Sequence, residues 1–213
     1  MKKDRVAIFI DGQNFRKAMY AVCHNSKVDY VKFIAHLAGG RQCVKAYYFD
    51  APPLQGDGHD ENNYIGQQKF YTALSYIPGL ELVFGTHVEK QSLCPLGKEE
   101  YSVTQEKDVA TLVAAYMLVG AVNNCYDVAV LVSGDAGLSP VVEAIRGLDR
   151  RAKRVENVFF SHGHANSLGV VCDKVTILTP EIMRDFWLEF VPGTVIHRPY
   201  YRKEFQVRCP ENK

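Results

Sequence analysis

Five apolar residues, Val6 to Ile10, stop at a carboxylate in "RVAIFIDGQNF", and Asn14 follows three residues after Asp11. The same break recurs in "VAVLVSGDAGLSP", where an apolar run ends in Ser133, Gly134 and Asp135. A third acid, Asp108, stands beside Lys107 at the head of "KDVATLVAAYML". Acids placed where strands end gather along one edge when the strands run parallel, and that edge is the usual ligand crevice of an open α/β sheet. Like charges brought together raise one another's pKa and cost stability unless a cation sits among them. Convergence of Asp11, Asp108 and Asp135 would therefore imply a bound metal, and oxygen-only ligands favour Mg2+ or Mn2+ over zinc. Such ions serve phosphate chemistry, where they activate water and neutralise charge on the phosphoryl group.

Each residue also has a plainer role open to it. Asp11 and Asp135 could cap the helices that follow them, and Asp108 is the kind of first-turn acid that a helix dipole prefers. Asn14 could orient Asp11 or a phosphate, or belong to first-turn helix chemistry. Ser133 could donate to a phosphate oxygen or satisfy its own turn. Lys107 could bind phosphate or simply be solvated.

The elements that must position these groups alternate along the chain. Short runs rich in Val, Ile, Phe and Tyr are separated by segments of helical period, the pattern of stacked βαβ units around a mostly parallel sheet. Strands are expected at Arg5–Ile10, Cys43–Phe49, Leu80–His87, Asp127–Val132, Val155–Phe160 and Lys174–Leu178. In Asp108–Val122, Val109, Leu112, Val113, Tyr116 and Met117 recur at i, i+3, i+4, i+7 and i+8 and form one apolar stripe. A second helix is expected over Ser139–Leu148, with Pro140 tolerated in its first turn, and others at Tyr30–Ala38 and Asn62–Ile77. The Pro-, Gly- and Asp-rich stretch 50–62 reads as a surface loop, and 89–105 as an excursion or hairpin around Pro95 and Gly97.

Composition excludes several alternatives. With 213 residues, 47% hydrophobic and 23% charged, the chain suits an ordinary globular protein with one substantial core. Twenty-five basic against 24 acidic side chains leave a formal charge of +1, so a polyanionic partner must be met by a local patch. The six cysteines are scattered without a C-x-x-C pair, which fits reduced thiols in a cytoplasm and supplies no zinc site. No apolar run approaches membrane length, so no membrane partner is expected.

Taken as a set, "FIDGQNF", "EKDVATLVAAYML" and "YDVAVLVSGDAGLSPVVEAIR" resemble the signature blocks of the NYN domain, the PIN-like family that includes LabA-like proteins. "RVENVFF" and "ANSLGVVCDKVTIL" resemble its closing strands, so the resemblance runs from about Arg5 to Leu178. It implies an α/β fold, a PIN-like three-layer sandwich with a mostly parallel sheet flanked by helices. It also implies metal-dependent ribonuclease activity that leaves a 3′-hydroxyl and a 5′-phosphate. By the same resemblance Asp11, Asp108 and Asp135 hold Mg2+ or Mn2+, Asn14 is an active-site polar residue, and Lys107 is the lysine of the K-D block. One departure matters: where the family reads Ser-Gly-Asp-x-Asp, this chain has Gly137 in place of the second aspartate. Asp50 and Asp173 are the candidates to compensate, each with a turn or packing role as the alternative. The competing function is a degenerate module that binds RNA or protein without cutting, and a more distant one is a nucleotide phosphatase.

A phosphodiester substrate needs cations beside the acids. "RGLDRRAKR" supplies Arg146, Arg150, Arg151, Lys153 and Arg154, of which Arg151 and Arg154 are the expected substrate contacts; the alternative is cation placement at a helix C-terminus. Residues 191–213, after a domain over 1–190, interleave Arg198, Arg202, Lys203 and Arg208 with Tyr200, Tyr201 and Phe205. Such an arm suits stacking on single-stranded RNA, or self-association into a homo-oligomer. His162 and His164 lie in a loop near a strand end, where a phosphate role competes with none.

Overall fold

Strand β1 (Arg5–Asp11) alternates its side chains between two cores: Val6, Ile8 and Ile10 join one apolar cluster, Ala7 and Phe9 the other. A strand apolar on both faces must lie in the middle of a layered structure, and the computed structural model places it there. The described residues are 3–25, 27–52, 61–93, 100–148, 153–162 and 166–188. Around β1 the chain forms α1 (Gly12–Cys23), α2 (Tyr30–Ala38), β2 (Gln42–Asp50), α3 (Glu61–Ser75) and β3 (Leu80–Phe84). A hairpin of β4 (Thr86–Leu93) and β5 (Glu100–Lys107) follows, then α4 (Val109–Val122) and β6 (Val128–Val132). A 3-10 turn (Ala136–Leu138), α5 (Ser139–Arg146), β7 (Arg154–Phe160), α6 (Asn166–Val171), β8 (Lys174–Leu178) and α7 (Pro180–Arg184) complete the described fold.

Six strands form one sheet in the order β3-β2-β1-β6-β7-β8, and every neighbouring pair is parallel. One face is covered by α1, α2, α3 and α7 through Phe15, Met19, Phe33, Leu74 and Met183. The other is covered by α4, α5 and α6 through Val113, Met117, Val142, Ile145 and Leu168. The result is the expected three-layer α/β sandwich. None of the helices among the described residues is long and apolar enough to cross a membrane.

The expected strand Leu80–His87 breaks at Gly85, whose N–H donates to Asp50 O at 2.8 Å in the last rung with β2. Beyond Asp50 the sheet offers no partner, and from Thr86 the chain pairs with Lys107 and its neighbours instead. The excursion read at 89–105 is thus most of an antiparallel hairpin. The helix expected at Ser139–Leu148 ends at Arg146, and the one at Asn62–Ile77 runs Glu61–Ser75, ahead of a turn in which Gly79 has φ +79°. Within "ANSLGVV", read with the closing strands, Asn166–Val171 is helical. Most of the loop at 50–62, the arm at 191–213, Arg151 and His164 lie outside the described residues.

Candidate active site

From β1 the chain winds outward to β2 and β3 on one side, and from β6 to β7 and β8 on the other. Helices α1, α2 and α3, between β1 and β3, cover one face, and α5 and α6, between β6 and β8, cover the other, as right-handed crossovers require. The two connections leave β1 and β6 in opposite directions, so a crevice opens between their carboxyl ends. Asp11 ends β1, and Ser133, Gly134 and Asp135 follow β6.

Asp11 has extended backbone and caps α1, its Oδ1 accepting from Asn14 N at 3.2 Å. The glycine after it is dictated by packing: a Cβ on Gly12 would stand 2.4 Å from a Tyr48 ring carbon and 2.7 Å from Phe49 O. The start of α1 therefore rests directly on β2. Asp11 is only 6% exposed, and its Oδ2 accepts from Ser133 Oγ at 2.9 Å. Ser133 Oγ in turn accepts from Asp135 N at 3.1 Å, and Asn14 Oδ1 accepts from Gly134 N at 2.9 Å. Two side-chain bridges thus tie the β1–α1 junction to the turn after β6. Asp135 caps the 3-10 turn, Oδ1 accepting from Gly137 N at 2.9 Å. The capping roles open to Asp11 and Asp135 are real, and they coexist with the network that joins the two residues.

Burial raises the Asp11 carboxyl to about 6, with smaller contributions from the charges of Asp135 and Asp50; the bonds from Asn14 N and Ser133 act against the rise. The neighbouring acid Asp50, at the carboxyl end of β2, is wholly buried and belongs to a different structure. The Arg16 guanidinium grips both of its oxygens, Tyr71 Oη donates to Oδ2 at 2.9 Å and Ala51 N to Oδ1 at 3.0 Å. Asp50 is a packing acid already supplied with its cation. Asp173 is likewise committed, accepting from Val155 N at 2.8 Å and pairing with Arg146 at 3.2 Å. It sits where β7 begins, the opposite edge of the sheet. Neither replaces the acid missing at Gly137.

Asp108 stands apart from the linked pair. Helix α4 runs back to the start of β6, so its first residue belongs to the same edge as Asp11 and Asp135. Asp108 is exposed, adopts the left-handed region with φ +73°, and makes no side-chain cap. Its Oδ2 accepts from Thr86 Oγ1 at 3.0 Å instead. Among the described residues no three His, Cys, Asp or Glu side chains are grouped to hold a metal ion. Ser133 Oγ links the Asp11 carboxylate to the backbone N–H of Asp135, whereas the Asp108 carboxylate accepts from Thr86. The donors at the crevice are all oxygens, and a carboxyl held up by burial and neighbouring negative charge gains from a cation; both features fit Mg2+ or Mn2+. Magnesium is commonly held by one or two protein carboxylates with water and substrate oxygens in its other positions.

The described members of the basic cluster after α5, Arg146, Lys153 and Arg154, have partners of their own. Arg154 begins β7 and pairs with Asp4, roughly 20 Å from the carboxyl edge across a strand of 7 residues. Arg146 donates to Val171 O at 2.7 Å, and Lys153 Nζ to Asn124 Oδ1 at 2.7 Å. Lys107 ends β5 next to Asp108, and His162 is exposed beyond the end of β7.

Asn157 was not singled out by sequence reasoning. It is fully buried in β7, and its Nδ2 donates to Leu131 O at 3.1 Å and Ser133 O at 2.9 Å, pinning the backbone where β6 becomes the site. A lone amide inside the apolar "RVENVFF" was the available signal.

The family model described as "NYN domain" matches residues 5–179. No curated protein matches the chain. Among solved structures, a protein of unknown function from Vibrio parahaemolyticus RIMD 2210633 superposes with a TM-score of 0.62 at 20% identity, covering 87% of this chain and 97% of its own. At that identity the likeness speaks for the fold alone.

Proposed function

The chain belongs to the NYN domain family, in the PIN-like superfamily, whose members are typically nucleases that use divalent metals; on that premise we propose that it is a metal-dependent endoribonuclease. The observation that carries the reading is the bridge from the Asp11 carboxylate through Ser133 Oγ to the backbone N–H of Asp135, which ties the ends of β1 and β6 together at the switch point of a parallel sheet. Asp11 and Asp135 would hold Mg2+ or Mn2+, with Asp108 reaching the ion through water or after release from Thr86. Such an ion supplies Lewis-acid activation of water and neutralises charge on the phosphoryl group.

The chain's own groups do the positioning. Asn14, whose backbone N–H donates to Asp11 Oδ1 and whose own Oδ1 accepts from Gly134 N, and Ser133, donating to Asp11 Oδ2, fix the carboxylate in place. Lys107, beside Asp108, would carry the charge that meets a phosphate oxygen. In-line attack by water forms one P–O bond and breaks the bond to the 3′-oxygen, which leaves with a proton as a 3′-hydroxyl. A 5′-phosphate remains on the other product. Single-stranded RNA is the substrate form such an edge crevice reaches most readily.

A second reading, a module that binds RNA without cutting it, is favoured by Gly137 and by the separate anchoring of Asp108. Incubation of labelled single-stranded RNA with the full chain and Mn2+, with and without EDTA, separates the two. The nuclease reading requires cleavage that EDTA stops and that Asp11→Asn abolishes. Binding without metal-dependent cleavage at high protein concentration would establish the module.

A further inference from the structure

Strand β6 stops short of both its neighbours. Its ladder with β1 ends at Ile10 and Val132, and its ladder with β7 ends at Val132 and Val158. The neighbours run on: Asp11 still pairs with Phe49 of β2, and Phe160 with Leu178 of β8. Ser133 is thus the first residue beyond both ladders, and side chains hold it instead. Toward β1 its Oγ donates to Asp11 Oδ2 at 2.9 Å. Toward β7 its carbonyl accepts from Asn157 Nδ2 at 2.9 Å, and the same nitrogen donates to Leu131 O at 3.1 Å. Among neutral side chains only Asn and Gln carry two donors on one atom, as this double contact requires. The arrangement has a cost. Asn157 is wholly buried, and its Oδ1 has no hydrogen-bond partner among the described residues. A buried acceptor left without a donor subtracts stability, which an apolar residue would not do. The amide is explained by what it holds.

We propose that Asn157 is a positioning residue of the crevice: by holding the carbonyl of Ser133 it sets Ser133 Oγ between the Asp11 carboxylate and the N–H of Asp135. The inference rests on the nuclease reading only for what the crevice binds. Being wholly buried, Asn157 acts through Ser133 and not on a substrate. Without it the chain at Ser133 is held from the β1 side alone, and rotation of the backbone there carries Oγ away from Asp11. The carboxylate then keeps the bond from Asn14 N and loses the one from Ser133. The same movement draws Gly134 N off Asn14 Oδ1, so both bridges between β1 and the turn after β6 loosen together. Groups that orient a metal-binding carboxylate change metal affinity by roughly 10- to 100-fold when removed.

The test compares Asn157→Ala with Val155→Ala in the full chain. Val155 is also wholly buried and lies two residues earlier on the same face of β7, so its truncation disturbs the same core without touching Ser133. Two quantities are read below the unfolding temperature: Mn2+ affinity by calorimetric titration, and amide hydrogen exchange of Gly134 and Asp135 in EDTA, with Val130 as the internal reference. Asn157→Ala should weaken Mn2+ binding about tenfold or more and speed exchange at Gly134 and Asp135 about tenfold relative to Val130. Val155→Ala should lower the Tm and leave both quantities within about twofold of wild type. Should Asn157→Ala not fold, Asn157→Val, which fills the space without the amide, is read in its place with the same expected losses. Unchanged exchange at Gly134 and Asp135 in the Asn157 variant overturns the inference, and metal-dependent cleavage by wild type would leave the nuclease reading standing beside that failure. Equal losses from Val155→Ala also overturn it, because they would mark a general loosening of the core. If wild type binds no Mn2+, the nuclease reading falls and the exchange rates alone decide the role of Asn157.

Discussion

Replacing Asp11 with Asn should abolish cleavage and at the same time make the protein more stable. Burial lifts this carboxyl from its ordinary 3.8 to about 6, which corresponds to about 3 kcal/mol. A carboxyl whose folded pKa lies above its unfolded value binds its proton more tightly when folded, so ionisation subtracts stability. The loss is absent well below pH 3.8, grows as pH rises, and is complete above about pH 6. Asparagine keeps an oxygen for Asn14 N, is as good an N-cap as aspartate, and can donate to Ser133 Oγ once that hydroxyl turns. Allowing for that rearrangement, Asp11→Asn should gain about 1–3 kcal/mol at pH 7.5 in EDTA, or roughly 3–10 °C in Tm for a chain of this length. The gain should fall to about half at pH 5, to about a fifth at pH 4, and vanish well below pH 3.8. Adding Mn2+ should raise the wild-type Tm and leave the variant unmoved, because only the wild type binds the ion through this carboxylate. Thermal unfolding at three pH values, with and without metal, reads all of this. A variant less stable than wild type at pH 7.5, or a difference that ignores pH, would refute the electrostatic argument.

Arg16→Met should cost about 3–5 kcal/mol in urea unfolding, because it strands the wholly buried Asp50 carboxylate, and Arg16→Met combined with Asp50→Asn should recover much of the loss. A single variant as stable as wild type would show that the pair is not needed. Gly12→Ala should cost about 3 kcal/mol or more by the same assay, since its Cβ would meet the Tyr48 ring at 2.4 Å and cannot be accommodated without moving α1 off β2. Gly137→Asp should lower the metal-free Tm slightly and raise Mn2+ affinity about tenfold in calorimetric titration, with faster cleavage, because a Cβ there lies 3.3 Å from Asp135 Oδ1. Unchanged affinity would mean that this turn does not face the ion.

What the sequence revealed depended on whether a feature is local. The run Val6–Ile10 ending at Asp11 specified both the strand and the cap, because burial on two faces and a following helix start are written in neighbouring residues. The same holds for Val128–Val132 and the turn at Asp135. Partnerships across the sheet were not legible. The packing role open to Asp50 names no partner until the fold brings Arg16 against it, and a cluster of basic residues does not say which edge of the sheet Arg154 occupies. The strand read through His87 failed at Gly85 because the pattern of apolar residues does not announce where a neighbouring strand ends. For Asp108 the spacing located the helix start correctly, but its left-handed backbone and its bond to Thr86 depend on the hairpin that precedes it.

The claim beneath these readings is that Asp11 and Asp135 together make a seat for a divalent ion. A crystal soaked in Mn2+ and measured for anomalous scattering tests it most directly. The account predicts one strong peak about 2.0–2.3 Å from an oxygen of Asp11 or Asp135, in the crevice between β1 and β6. A crevice without a peak, at a Mn2+ concentration that supports RNA cleavage, would contradict it.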